Sequence, residues 1–174
     1  MSSQDNITVI DHGDEITINF DDCMKYHGKD SIGGLALGFR LMQLAFSELT
    51  SGKAPDRTSI SFRTTFAGPG LRDSVELISR AFTRGVYKLE EASVASSNAP
   101  ESPAGPLWFE VTIDGKSAAY EVIQAAVNPE FVRLGKLSRS GKITDAEKPL
   151  WTEQKQKLAA AVLAAPPSTY LRRI

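Results

Sequence analysis

The stretch LWFEVTIDGKSAAYEVI, residues 107–123, does most to decide the fold. Two runs rich in aromatic and β-branched residues flank the dipeptide Asp114-Gly115. Asp-Gly is typical of the type I′ turn, because both central positions of that turn need a positive φ. The stretch therefore predicts an antiparallel β-hairpin.

Alternation of apolar and polar residues predicts strands elsewhere in the chain. In residues 59–66 (SISFRTTF) Ile, Phe, Thr and Phe occupy every second position, which gives a strand one face to bury. Residues 7–10 and 15–20 predict a second hairpin, in which Gly13 is available for a positive φ. Residues 86–90 suit one more strand.

Apolar residues spaced alternately by four and three positions predict two amphipathic helices, over 34–50 and 71–83. Their apolar stripes consist of Leu35, Phe39, Met42, Phe46 and Leu49 in the first and of Leu71, Val75, Ile78 and Phe82 in the second. Such stripes are typical of core packing. A short helix is expected between an N-cap at Asp21 or Asp22 and a stop at Gly28. Further helices are expected after Asn128-Pro129 and from the capping box Thr144–Glu147 to Ala165.

The hydrophobic period changes from 2 to 3.6 and back along the chain, which favours an α+β fold. We expect an antiparallel or mixed sheet of about six strands, with helices packed mainly on one face. The sheet is expected to include 15–20, 59–66, 107–113 and 117–123, with 34–50 and 71–83 packed on one face. Residues 93–106, rich in Ala, Ser and Pro, predict a surface loop or mobile insertion. Residues 1–125 are expected to form the core, and 126–174 a helical extension packed on it or on a dimer partner.

Composition excludes several functional classes. The 20 Lys and Arg against 21 Asp and Glu give 20 − 21 = −1, which argues against nucleic-acid binding and against a polybasic membrane binder. A single Cys excludes a disulfide framework and a multi-Cys zinc ribbon. The longest apolar run, Leu158–Ala165, is too short to span a membrane. The opening MSSQDNITVI shows no secretory signal, so a cytoplasmic protein is expected.

Candidate chemistry concentrates around the first predicted helix. Cys23 and His27 are spaced i, i+4 and share one helix face. His27 precedes Gly28 and lies near Gly33-Gly34, where glycines permit a ligand to approach the backbone. The two side chains could be a nucleophile with its base or two ligands of a weakly bound metal. They could equally be a buried Cys and a helix-end His bonded to a carbonyl group.

A second candidate is the loop-to-helix junction AGPGLRD, residues 67–73. Exposed N–H groups at the start of the following helix could hold an anion, with assistance from Arg72. Any tight loop-to-helix junction has a similar appearance, so the structural interpretation stays open.

The string YHGKDSIGGLALGFRLMQLA, together with two later stretches, resembles the E-subunit family of formylmethanofuran dehydrogenase. Members typically read aromatic-His-Gly-His-x-Cys-Pro-Gly and then Leu-Ala-x-Gly-Tyr/Phe-Arg. Tyr26-His27-Gly28 and Leu35–Arg40 match the two ends of that motif. Asp73–Glu76 is similar to the Asp-Ala-x-Gln helix of the family, and Asp114–Tyr120 to its Tyr-Gly-Lys-x-Ala strand. The similarity covers about residues 15–125 in the right order.

The departures from the family pattern concern the expected metal ligands. The second His of the family falls at Lys29 and its Cys near Ser31. The Cys of the loop before Asp73 is replaced by Gly68, Pro69 and Gly70, and no Cys follows residue 125. Because thiolates select zinc and other soft metals, the resemblance does not carry over a metal-dependent activity. It implies the fold, a homodimer and a pocket around His27.

These observations predict a small-molecule binding or catalytic domain, linked through the resemblance to one-carbon or redox metabolism. The alternative is a non-catalytic accessory or regulatory subunit that binds a partner enzyme. No tightly bound zinc is expected, although Cys23 and His27 could share a weakly held metal with Asp73 or water. The expected catalytic residues are His27, Cys23 and Asp73. The expected ligand-binding residues are Gly28, Lys29, Ser31, Gly33, Gly34, Arg40, Gly68, Gly70 and Arg72.

Overall fold

The computed structural model describes residues 6–174, which form five α-helices and seven β-strands in two sheets. The larger sheet has five strands in the order β4-β3-β5-β6-β7, with mixed strand directions. This arrangement is the predicted α+β class. The strands are β1 (Asn6–Asp11), β2 (Asp14–Asn19), β3 (Ile60–Thr64), β4 (Tyr87–Leu89), β5 (Trp108–Ile113), β6 (Lys116–Val122) and β7 (Leu171–Arg173). The helices are α1 (Phe20–His27), α2 (Ile32–Leu49), α3 (Pro69–Ser79), α4 (Pro129–Arg139) and α5 (Glu147–Ala164).

The hairpin at residues 107–123 forms the middle of the larger sheet, as predicted. Asp114 and Gly115 take positive φ values of 50° and 74°, and β5 pairs antiparallel with β6. On its other side β5 pairs antiparallel with β3, which places Ile60 opposite Ile113. Strand β4 then pairs parallel with β3 at the edge.

The expectation that residues 15–20 belong to the main sheet is wrong. Strand β2 pairs only with β1 among the described residues, and the two make a separate hairpin with His12 and Gly13 at positive φ. The chain cannot continue as a strand because Asn19 caps α1, which begins at the next residue. The outer side of β1 meets the loop before β3 instead, where the Ile10 amide donates to the Pro55 carbonyl over 2.8 Å.

Helix α3 is shorter than the predicted 71–83 and ends at Ser79. Arg80 adopts a left-handed conformation with φ of 57°, and the buried carboxylate of Glu76 accepts the amides of Phe82 and Thr83. Phe82 is 53% exposed, so it does not belong to the core stripe on which the longer prediction depended. A polar side chain inside the helix thus ends it by capping the turn that follows.

The C-terminal segment is attached to the rest of the chain at two places. Helix α5 packs on α2, and the strand β7, which periodicity did not reveal, pairs antiparallel with β6.

The loop 93–106 is held by hydrogen bonds to the rest of the chain, because Ser96 donates to Glu121 and the Ala104 carbonyl accepts the Ala67 amide. Glu121 is fully buried and also accepts from Arg172 at 3.0 Å.

Within residues 6–174 no helix combines the length and the apolar character needed to cross a membrane.

Candidate functional site

Helix α1 presents His27 at its last residue, and a local capping pattern explains where the helix begins and ends. The Asn19 side chain accepts the Asp22 amide, and the Asp22 carboxylate accepts the Asn19 amide in return. At the other end the Gly28 amide donates to the Met24 carbonyl, and Gly28 leaves the helix with φ of 85°. The i, i+4 spacing then brings both Cys23 and His27 toward α3, as their contacts with that helix show.

His27 forms a close pair with Asp73 of α3. Nδ1 of His27 lies 2.7 Å from Oδ2 of Asp73, and the two side chains are only 8% and 19% exposed. Nε2 of His27 is buried and has no hydrogen-bond partner among the described residues. A buried nitrogen without a partner is costly, which makes this ring the strongest chemical candidate in the described chain.

Arg72 fixes the other oxygen of Asp73. Its Nε and one terminal nitrogen both lie 2.9 Å from Oδ1, and its guanidinium stacks over the Phe82 ring at 5.3 Å. Burial raises the pKa of Tyr87 above its ordinary value, and the charges of Arg72 and Asp73 act on that phenol as well. Arg72 therefore orients the carboxylate that holds His27. The anion site expected at the start of this helix stays a prediction.

Cys23 is fully buried one turn before His27. Its Sγ lies 4.0 Å from the Ser74 hydroxyl, and burial raises the pKa of the thiol to about 11. The thiolate is the reactive form of cysteine, so this environment disfavours the nucleophilic role among the alternatives that the sequence left open.

Several predicted ligand-binding glycines lie between helices. A Cβ at Gly70 would come within 2.3 Å of the Ser31 carbonyl oxygen and 2.7 Å of the Leu35 nitrogen. A Cβ at Gly34 would lie 3.4 Å from the Leu71 nitrogen, and one at Gly33 would lie 2.8 Å from Leu158 Cδ2. These glycines allow neighbouring helices to approach closely, so their role in packing is established by the geometry.

The remaining predicted positions divide between the surface and a small cavity. Gly28 and Lys29 are exposed in the turn between α1 and α2. A cavity of about 190 Å³ is lined by Ser31, Gly33, Gly34, Gly68 and Gly70, together with the basic residues Arg139 and Lys155 and the acidic Asp30. Neither α2 nor α3 has a side-chain cap at this end, and Lys155 is paired with Asp30.

Arg40 lies in another part of the molecule. It donates to Gln43 at 2.9 Å and to the Leu163 carbonyl near the end of α5, and it lines a separate groove of about 680 Å³ with residues of β1. The structure therefore does not bring Arg40 together with His27. Its position in the sequence gave no sign of this, because the contact partner is more than a hundred residues away.

A mostly apolar cavity of about 460 Å³ was not predicted. It lies between α2, α4 and α5, and its lining includes Gly33 and Gly34 but not His27. One feature of the sequence was compatible with a cavity here: a Gly-Gly pair in one helix and an Ala-rich stretch in another. Where small residues face each other across two helices, the helices either pack closely or leave space between them.

The described residues contain no group of three or more His, Cys, Asp or Glu side chains arranged to hold a metal ion. No protein-family model matches the chain, and the search of curated proteins returned no match.

Proposed function

We propose that this chain is a small-molecule binding or catalytic domain in which Nε2 of His27 meets the ligand. The observation that supports it is the His27–Asp73 pair, which uses one ring nitrogen and leaves the other buried with no partner within residues 6–174. The link to one-carbon or redox metabolism rests on the motif resemblance at Tyr26–Gly28 and Leu35–Arg40.

The hydrogen bonds assign a role to each ring nitrogen. An ionised Asp73 can only accept, so Nδ1 of His27 must carry the proton in the pair. In the neutral imidazole Nε2 is then an acceptor, which can take a proton or a hydrogen bond from an O–H or N–H group.

Asp73 supplies what such a base needs. A carboxylate on Nδ1 holds the ring in one tautomer and stabilises the imidazolium that proton transfer would form. Arg72 keeps the carboxylate in place through Oδ1. Cys23 lies one helical turn before His27, Ser74 directly follows Asp73, and these two side chains contact each other beside the pair at 4.0 Å.

The test uses the fact that the chain has only two histidines. His27 is buried, whereas the side chain of His12 is 94% exposed, so His12 is an internal control. We expect a fragment library of alcohols, phenols and carboxylic acids to contain members that move the NMR signals of the His27 ring but not those of His12.

Two variants separate the role of Nε2, which we expect to meet the ligand, from that of Nδ1, which bonds Asp73. His27→Asn retains a donor near the position of Nδ1 but lacks Nε2, while His27→Ala lacks both. We expect fragment binding to be lost in both variants and most of the stability to be kept in His27→Asn. Fragments that bind His27→Asn as well as the wild type would contradict the proposal.

A second candidate is the accessory subunit, which binds a partner through a protein surface. Phe82 and Leu89 are 53% and 58% exposed, and Leu89 lies on the short edge strand β4. Exposed apolar residues beside a free strand edge favour contact with another chain. Light scattering at micromolar concentration tests the homodimer first: we expect twice the 18.9 kDa of one chain for the wild type and one chain's mass for Leu89→Lys. A monomer in both cases would leave a different partner enzyme as the occupant of this edge.

A further inference from the structure

The apolar cavity of about 460 Å³ lies apart from His27, which is not among its lining residues. It is enclosed by the first turns of α2, the C-terminal half of α5, the start of α4 and the segment after β6. Its volume falls within the range of about 300–1,000 Å³ that is usual for small-molecule sites.

Small residues keep the cavity open. Ala161 provides only a methyl group on the α5 side of the cavity, and Gly33 and Gly34 line it on the α2 side. The helices are nevertheless held at a fixed distance, because Ala36 packs against Ala159 and Val162 next to the cavity. The space therefore follows from packed helices and does not depend on a loose segment.

The interior of the cavity is apolar. Aliphatic and aromatic side chains make up most of the lining, among them Leu37, Phe66, Phe131, Leu158 and Val162. The polar groups of Asn128 are used within the protein: its amide nitrogen donates to Gln154 at 3.2 Å, and its oxygen accepts the Glu130 amide at 2.9 Å. An occupant would thus meet few polar groups inside.

One charge stands at the rim. Lys157 is the only charged residue among the described residues that line the cavity, and its side chain is 65% exposed. It pairs with Glu153 at 2.7 Å, but both partners are in water, where such a pair contributes little and exchanges readily. An anionic group at the mouth could therefore pair with Lys157 at small cost.

We propose that this cavity binds an apolar carboxylate, with its hydrocarbon part between α2 and α5 and its carboxylate beside Lys157. Burial of apolar surface supplies the affinity, and the cation selects the carboxylate over a neutral molecule of the same length.

Calorimetric titration with decanoate and with 1-decanol tests both parts. We expect decanoate to bind the wild type more tightly than decanol does. Ala161→Phe places a ring in the cavity and should weaken both ligands about tenfold or more. Ala160→Phe is the matched control, because Ala160 is exposed on the same helix as Ala161 is, but it does not line the cavity; it should change binding by less than about twofold.

A charge variant isolates the role of the rim. Lys157→Met should weaken decanoate about threefold and leave decanol unchanged, while Lys148→Met, exposed at the start of the same helix, should affect neither. Thermal melting of each variant without ligand checks that the fold is intact.

Three results would overturn the proposal: no binding of either compound, binding that Ala161→Phe leaves unchanged, or decanol bound as tightly as decanoate. Since His27 is outside the cavity, the histidine NMR experiment succeeds or fails independently.

Discussion

Helix α2 is packed on two sides, and the two interfaces differ in kind. Against α3 the contact is between backbones: Gly70 brings its Cα to the Ser31 carbonyl, and a Cβ at Gly38 would lie 3.2 Å from the Leu71 carbonyl oxygen. Against α5 the backbone of α2 meets a side chain, since Gly33 faces the flexible end of Leu158.

The difference explains what each interface contains. At the α2–α3 contact Gly34 and Gly38 face backbone atoms of α3, and beside it the side chains of the pair His27–Asp73 are 8% and 19% exposed. The α2–α5 contact is spaced by Leu158 and Val162 and adjoins the 460 Å³ cavity. Small residues on a helix therefore do not by themselves predict a ligand site, because the outcome depends on whether backbone or side chain faces them.

The largest effect should come from adding one methyl group at the backbone contact. Gly70→Ala should lower the free energy of unfolding by about 3 kcal/mol, because the new Cβ meets rigid backbone atoms. Gly33→Ala is the matched control at the other interface, and it should be nearly neutral because Leu158 can move and alanine favours the helix. Urea denaturation of both variants measures the contrast, and equal losses would show that the two interfaces are alike.

The second-largest effect on stability should come from the His27–Asp73 pair. His27→Ala should lower the free energy of unfolding by about 2 kcal/mol, since it removes a hydrogen bond to a charged partner. Asp73 keeps its bonds to Arg72, which limits the loss. His12→Ala, at the exposed hairpin tip, is the control and should not change the urea midpoint. An unchanged urea midpoint for His27→Ala would contradict a stabilising hydrogen bond between His27 and Asp73.

The burial of Cys23 should make the free energy of unfolding fall at alkaline pH. Burial raises the pKa of its thiol from 9.0 to about 11, so the folded chain holds this proton more tightly than the unfolded chain does. This contribution to the free energy of unfolding is complete below pH 9 and is lost as the pH rises from 9 to 11. The loss amounts to about 1 kcal/mol by pH 10.

The measurement is the difference between the wild type and Cys23→Ala in urea denaturation at pH 7, 9 and 10. Loss of packing shifts the variant equally at every pH, so the pH-dependent part belongs to the thiol. Parallel curves for the two proteins would contradict a water-excluded Cys23.

The smallest effect should come from the exposed start of α5. Arg133 holds the pKa of Glu147 down to about 2, with help from Thr144. A lowered pKa means that the stability is present above about pH 4.5 and is lost as the pH falls toward 2. Because these groups are in water, we expect Glu147→Gln to lower the melting temperature only slightly at pH 7 and not at all near pH 2.

Glu153→Gln, exposed on the same helix, is the control for the loss of one surface carboxylate. A larger loss for Glu147→Gln at pH 2 than at pH 7 would contradict the assigned direction.

Local patterns in the sequence predicted the turns, helix caps and buried stripes, because these depend only on residues close together in the chain. Asp114-Gly115 specifies a turn through two positive φ values, and Asn128 caps α4 by accepting the Glu130 amide. The 4, 3 spacing from Leu35 to Leu49 buries one stripe wherever the helix packs. None of these features needs a distant partner, which is why the α+β class and most helix and strand positions could be predicted from the sequence.

The candidate site was predicted only in part. The resemblance pointed to His27 and Asp73, and the structure places them 2.7 Å apart. Arg72 contacts Asp73, a pairing that the loop-to-helix pattern did not indicate. The cavity beside α5 was missed, since its walls come from six separate parts of the chain.

The sequence alone therefore determined the local structure: turns from φ preferences, helices from period and caps, and the buried stripes from spacing. Tertiary structure alone decided which elements meet. It separated β2 from the main sheet, added β7 to it and placed Arg40 away from His27. The physical reason is that these outcomes depend on contacts between residues far apart in the chain, whose free energy no short stretch of sequence contains.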